Sequence, residues 1–192
     1  MSTTPLLDPT PLRAQFPALQ LEVNGKTAVY LDGPGGTQSP QRVIDAMSSY
    51  LSYGSSNHEG HFITSRHADQ IHADARAAIA ALLNASRPEE IAFGQNMTSM
   101  TMSFSRALAR TWQPGDEIIV TRLDHDANIS PWLLAAEDNG VTVRWLDFHP
   151  EDCTLALETL PALLNEKTRL LAITYASNAV GTIVDVKTAV QL

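Results

Sequence analysis

From about residue 91 onward, the apolar positions of this 192-residue chain alternate between two rhythms that predict its elements. Short apolar runs at Ile91-Ala92-Phe93, Glu117–Thr121, Val141–Leu146 and Arg169–Thr174 read as strands. Between them, apolar residues fall three and four apart, the spacing of one helical face. Met97, Met100, Phe104 and Leu108 define such a face over Met97–Ala109. Ile129, Trp132, Leu133 and Ala136 define another over Ile129–Asp138, with Gly140 placed as its C-terminal stop. A helix over Leu157–Leu164 and the start of a last one near Val186 complete the series. Strand, helix, strand, helix at this spacing predicts a mainly parallel sheet with helices on its faces.

The earlier residues are less regular. Leu12–Leu19 predicts one or two amphipathic turns, and Thr27–Leu31 a strand closed by Asp32-Gly33-Pro34-Gly35-Gly36. Ser39 as N-cap with Pro40 at the first helical position opens a helix to about Ser52. Tyr53–Phe62 carries Gly54, Ser55, Ser56, Asn57 and Gly60 and reads as loop. A helix follows over Ser65–Leu83, with Ile71, Ala75, Ala78, Ile79 and Leu82 on one face. The organisation expected is an N-terminal extension over residues 1–26 and one α/β domain over 27–192.

Composition narrows the function classes. Apolar residues make up 44% and charged residues 18%, ordinary values for a soluble globular chain. Thirteen basic against 21 acidic residues give a formal charge of -8, with no Lys or Arg stripe. Nucleic acid and anionic membrane are therefore not the expected partners. The single cysteine, Cys153, cannot form an intramolecular disulfide, and no apolar run approaches 18 residues, so a reducing cytoplasm is expected.

The candidate chemistry lies in three loops at the carboxyl ends of predicted strands, where open α/β sheets bind ligands. Gly94-Gln95-Asn96-Met97-Thr98-Ser99 opens a helix, whose free N–H groups can hold an anion. Asp124-His125-Asp126-Ala127-Asn128 offers an imidazole face, although Asp124 and Asp126 also read as solvated residues and Asn128 as a helix cap. Tyr175–Thr182 offers the carboxamide of Asn178, or simply a turn. A phosphate site, a flat ring and an amide along one edge suit a planar, phosphorylated, hydroxylated heteroaromatic cofactor. Pyridoxal 5'-phosphate fits that description best.

Several stretches carry a family resemblance in order and spacing: Ala28–Asp32, Asn57–His61, Asn96-Met97-Thr98, Gly115–Val120, Asp124–Asn128 with Pro131-Trp132, and Ser177–Thr182. Together they make Leu12–Leu192 similar to the N-terminal part of class V aminotransferases, in the cysteine desulfurase/selenocysteine lyase-like branch. The resemblance implies an incomplete large domain of the aspartate-aminotransferase type (fold type I, three-layer α/β). It implies pyridoxal phosphate, an amino-acid substrate and, in the full-length parent, a homodimer. By matching position, His125 would stack on the pyridine ring and Asn178 would meet the phenolic oxygen. Thr98 and the backbone of Met97 would hold the phosphate. The family's phosphate turn usually reads Gly-Thr-Thr-Glu; here Asn96-Met97-Thr98-Ser99 stands in its place, leaving only an N–H at Met97.

In that family an aspartate further along pairs with the ring nitrogen, and a Ser-x-His-Lys lysine forms the Schiff base. None of Lys26, Lys167 and Lys187 has that setting, and Asp185 precedes a helix instead of ending a strand. The expectation is a truncated chain that binds cofactor weakly and does not turn over. The residues admit three other readings. Metal ligation by His58, His61, His67 and His72 fails on spacing: three apart in a loop, and five apart on a helix. A nucleotide domain lacks both Gly-rich phosphate motifs. A non-catalytic chain that only associates with a partner subunit remains the alternative.

Overall fold

The computed structural model describes residues 7–192, and the chain divides into two compact units, Met1–Ala92 and Phe93–Leu192. Residues 1–6 of the expected N-terminal extension lie outside the described residues.

In the first unit, α1 (Thr10–Arg13) and a 3-10 turn (Pro17–Gln20) precede a two-residue hairpin of β1 (Glu22–Val23) and β2 (Lys26–Thr27). The strand expected over Thr27–Leu31 is displaced. Asn24 and Gly25 both take positive φ, 54° and 72°, which suits a tight hairpin turn and draws the pairing to the residues flanking it. Val29 and Leu31 are left exposed. Helix α2 (Gln41–Tyr53) begins one residue later than Ser39-Pro40 predicts: Pro40 itself is the N-cap, and no side chain caps the helix. Helix α3 (Ile63–Leu83) ends on Asn84 in the left-handed region. Its buried residues are Ser65, Ala68 and Ala80, whereas Ile71 and Leu82 of the expected apolar face are exposed. Within the unit, α3 meets the 3-10 turn Pro88–Glu90, an element too short to cover that face. That turn also takes the Ile91 N–H through Pro88 O, and no strand forms at Ile91–Phe93.

The second unit holds the sheet. Helix α4 (Met97–Ala109), β3 (Glu117–Thr121), α5 (Ser130–Asn139), β4 (Thr142–Leu146), α6 (Leu160–Leu163), β5 (Thr168–Leu171) and α7 (Val186–Gln191) follow in order. The three strands are parallel in the order β4-β3-β5, with Ile119 opposite Arg144 on one side and Leu171 on the other. All five residues of β3 are buried, as expected of a central strand covered on both faces. Period-two alternation sorts its side chains. Ile118 and Val120 join Trp112, Trp132, Ala135 and Ala136, so α4 and α5 cover that face. Ile119 joins Leu146, Leu160 and Ala189, so α6 and α7 cover the other. This unit is thus three-layered α/β with a parallel sheet.

Local signals decide the ends. Gly140 takes φ 65° after α5 and donates its N–H to Ala136 and Glu137, the left-handed stop expected of it. The helix expected over Leu157–Leu164 is broken into a 3-10 turn (Leu157–Thr159) and α6, where Pro161 sits in the first turn. Proline is tolerated there because its missing N–H has no helical acceptor to lose.

Polar groups stitch the amino ends of the strands. The Arg144 guanidinium donates to both oxygens of Glu117, and Asn165 Nδ2 donates to it at 2.7 Å. Arg169 Nε and the Gln113 N–H donate to Asp116 at 2.9 and 2.8 Å. The Arg144 bond, with that of Asn165, lowers the Glu117 carboxyl from 4.5 to about 2. A depressed folded-state value stabilises the fold above the unfolded value, and the gain is lost as pH falls through the folded one. Urea midpoints should therefore decline from pH 4.5 toward 2, and E117Q should flatten that slope. An unchanged slope in the variant would show that Glu117 does not carry the linkage.

Candidate functional site

The chain leaves β3 at Thr121 and turns back within three residues. Leu123 N–H donates to Thr121 Oγ1 at 3.2 Å, and Thr121 Oγ1–H donates to Asp124 Oδ2. His125 then caps a 3-10 turn, Asp126–Asn128: its Nδ1 accepts the Ala127 N–H at 3.0 Å. That bond requires an unprotonated Nδ1, so the neutral ring carries its proton on Nε2. The imidazole is exposed and fixed at one nitrogen. The turn runs into α5, and Asn128 accepts Trp132 Nε1–H at 3.1 Å.

Beyond β5 the chain makes a second projection. Ala176 bridges Ile183, Ser177 N–H donates to Thr182 O at 2.9 Å, and Val184 N–H to Tyr175 O at 2.9 Å. Ser177 Oγ accepts the N–H groups of Ala179 and Val180, closing the tip, and Gly181 supplies a φ of 76°. Asn178 stands exposed on this tip, with no side-chain hydrogen bond among the described residues. The segment is a turn, as one of its two readings expects, and the carboxamide stands at its tip.

The third feature is the start of α4. Asn96 caps it by accepting the Ser99 N–H at 2.8 Å. The N–H groups of Met97 and Thr98 belong to the first turn and have no helical acceptor. Met97 and Thr98 are exposed, while Thr101, Ser105 and Ala109 form the buried face of the helix. Further along, α4 packs on the Asp126–Asn128 turn, and the Phe104 ring meets Trp132 edge-on with centroids 6.1 Å apart.

Two of these features are joined by a residue the sequence reading left as solvated. Asp124 is half-buried, and its Oδ2 accepts the Thr174 N–H at 3.0 Å across fifty residues. Its Oδ1 accepts Asn128 Nδ2–H at 2.6 Å. The loop carrying His125 is thereby tied to the segment leading into the Asn178 hairpin. A signal for this existed: Asp124, Asn128 and Trp132 stand four apart, the spacing of one helical side. Asp185, set aside as a ring-nitrogen partner, is committed as the N-cap of α7, accepting both Thr188 N–H and Oγ1–H. Lys26, Lys167 and Lys187 are all exposed.

In the first unit the histidines pair in a way spacing did not indicate. His58 stacks on His72 with ring centroids 5.5 Å apart, flanked by Glu59 and Asp69 at 3.6 and 4.0 Å from His58 Nδ1. The loop turns back at Glu59, where φ is 67°.

The His125 turn and the Asn178 hairpin lie beyond the carboxyl ends of β3 and β5, and with the capped start of α4 they belong to one α/β unit built on a parallel sheet. The class-V aminotransferase family model matches residues 29–192, and the chain belongs to that family. Among curated relatives, the cysteine desulfurase of Pectobacterium carotovorum subsp. carotovorum is 40% identical over 181 residues, covering 93% of this chain and 44% of the relative. A solved cysteine desulfurase from Escherichia coli superposes with a TM-score of 0.80 at 30% identity, over 97% of this chain and 46% of that one. A mutant protein with glycine covalently linked to its pyridoxal-phosphate cofactor shares the fold, with a TM-score of 0.75 at 24% identity over 93% and 44% of the two chains. The chain spans less than half the length of these relatives. Among the described residues, no helix is long and apolar enough to cross a membrane.

Proposed function

We propose that this chain is the cofactor-holding portion of a cytoplasmic, pyridoxal-phosphate-dependent enzyme that acts on an amino acid, of the cysteine desulfurase-like kind. The observation that carries the reading is the Asp124–Thr174 bond, which ties the His125 loop to the segment leading into the Asn178 hairpin at one edge of a parallel sheet. The donor set matches the group. The Met97 and Thr98 N–H groups and the Thr98 hydroxyl bind a phosphate at the start of α4, where the helix dipole favours an anion. The His125 face would stack on the pyridine ring, and the Asn178 carboxamide would donate to the phenolic oxygen. When bound, pyridoxal phosphate supplies an aldehyde for the substrate amine and a ring that withdraws electrons. His125, held at Nδ1 by Ala127, orients that ring without having to be ordered on binding. Among the described residues, no lysine stands in this donor set to bind the aldehyde covalently.

Titrating the chain with pyridoxal phosphate, followed by absorption and tryptophan fluorescence, tests the reading. Weak saturable binding is expected, with competition by inorganic phosphate. His125→Ala should weaken it about tenfold, the order of an aromatic stacking contact of ~1–1.5 kcal/mol, and T98V should weaken phosphate competition. Binding that H125A and T98V leave untouched would remove the site.

The second reading, a non-catalytic chain that only associates with a partner subunit, is favoured by one observation. Val43, Ile44, Met47 and Leu51 of α2 are all exposed, and exposed apolar faces favour association. Homodimerisation in the full-length parent belongs with it. Sedimentation of the chain across a hundredfold concentration range separates a monomer from a self-associating species.

A further inference from the structure

Asp124 accepts three hydrogen bonds, two from within its own turn and one from a segment fifty residues further on. Thr121 Oγ1–H reaches Oδ2 from the last residue of β3, and the Thr174 N–H reaches the same oxygen from beyond β5 at 3.0 Å. Asn128 Nδ2–H reaches Oδ1 at 2.6 Å from the turn that follows His125. No Lys or Arg pairs with this carboxylate among the described residues, so ion pairing is not what holds it. All three partners are donors here, and an ionised carboxylate is the side chain that only accepts. The order continues outward, because Asn128 Oδ1 is occupied by Trp132 Nε1–H at 3.1 Å. The Asn128 amide therefore cannot turn over without losing the Trp132 bond.

We propose that Asp124 is the positioning residue that fixes the His125 imidazole relative to the Asn178 hairpin. This rests on the cofactor reading above for its consequence, though not for its geometry. One side of His125 is held by Asp124 to β3 and to Thr174, and its ring is held by the Ala127 N–H. Both ends of the five-residue loop are thus fastened before any ligand arrives, and preorganisation of this kind strengthens binding by removing an ordering cost.

The donor–acceptor order gives a test that composition alone would not pass. D124N sets an amide donor against Asn128 Nδ2, or against Thr121 and Thr174. The exchanged pair D124N/N128D restores the order: the new amide donates to the new carboxylate, which still accepts from Trp132. Ligand-free protein is read by the Trp132 indole N–H resonance, the exchange rate of the Thr174 amide and the His125 ring-proton resonances. Pyridoxal-phosphate affinity is read in parallel.

In D124N, Thr174 exchange should rise at least about tenfold, the indole and His125 resonances should move or broaden, and affinity should fall about tenfold. D124N/N128D should return all of these to within about threefold of the parent, whereas N128D alone, which sets two carboxylates together, should not. T121V removes one of the three donors to Asp124, together with the acceptor of the Leu123 N–H, and should shift the His125 resonances in the same direction by less, so the proposal stays testable should D124N fold poorly. Unmoved His125 resonances in D124N and T121V would overturn the proposal, as would a loss in D124N/N128D equal to that of D124N. If the parent chain binds no pyridoxal phosphate, the cofactor reading fails, and the His125 resonances of the ligand-free variants still decide the positioning role.

Discussion

Replacing Trp132 with alanine is expected to lower the unfolding free energy of the second unit by about 3–5 kcal/mol, the range for deleting a large aromatic from a packed core. Trp132 is 5% exposed and belongs to the cluster of Trp112, Ile118, Val120 and Ala136 that seats α4 and α5 on the sheet. Its truncation removes the edge contact with Phe104 and opens a cavity beneath α5. It also leaves Asn128 Oδ1 without the indole donor, a cost that falls on the turn next to His125. Trp132→Phe keeps one aromatic ring but loses the pyrrole part with its N–H, so a cost smaller than that of W132A is expected: about 1 kcal/mol for the hydrogen bond plus that of a smaller cavity. Denaturant unfolding followed by near-ultraviolet circular dichroism gives both values. A W132A cost below about 1 kcal/mol would mean that this face of the sheet is not packed as described.

The second large effect concerns turnover. With cysteine and pyridoxal phosphate, the chain alone is expected to release sulfide no faster than the cofactor does free in buffer, short of the enzymatic acceleration of ~10⁶-fold or more. The reason is geometric. Lys167 O accepts the Glu117 N–H, which places Lys167 at the amino end of β3, while His125 lies beyond the carboxyl end. Five strand residues at ~3.3 Å each separate the two. Lys187 is the second residue of α7, and both it and Lys26 are exposed, without the burial that activates a lysine nucleophile. Borohydride reduction followed by mass mapping is expected to scatter the label thinly over the lysines. Stoichiometric label on one lysine, together with sulfide release above the buffer rate, would overturn the reading.

The parts legible in sequence were those fixed by near neighbours. Helix α4 and strand β3 have the bounds their apolar periodicity predicts, Met97–Ala109 and Glu117–Thr121. Gly140 stops α5 for a reason contained in one residue, its ease with positive φ. The strand expected over Thr27–Leu31 does not form because the Asn24-Gly25 turn captures the pairing at Lys26–Thr27, starting one residue earlier and ending where that strand would begin. Ile91–Phe93 has the composition of a strand and no partner strand, and without a ladder its apolar run forms nothing regular. The candidates His125, Asn178, Thr98 and Met97 stand exposed at element ends, whereas the tie made by Asp124 is not legible in sequence because Thr174 lies fifty residues away.

By itself, then, the sequence determined the bounds of α4 and β3 and the stop at Gly140, and which residue types stand at those ends. These follow from steric and hydrogen-bonding preferences acting over a few residues. The strand order β4-β3-β5, the stacking of His58 on His72 and the bond from Thr174 to Asp124 were decided only by the tertiary structure. Each depends on segments brought together by packing, and no local preference specifies which distant donor a carboxylate will meet.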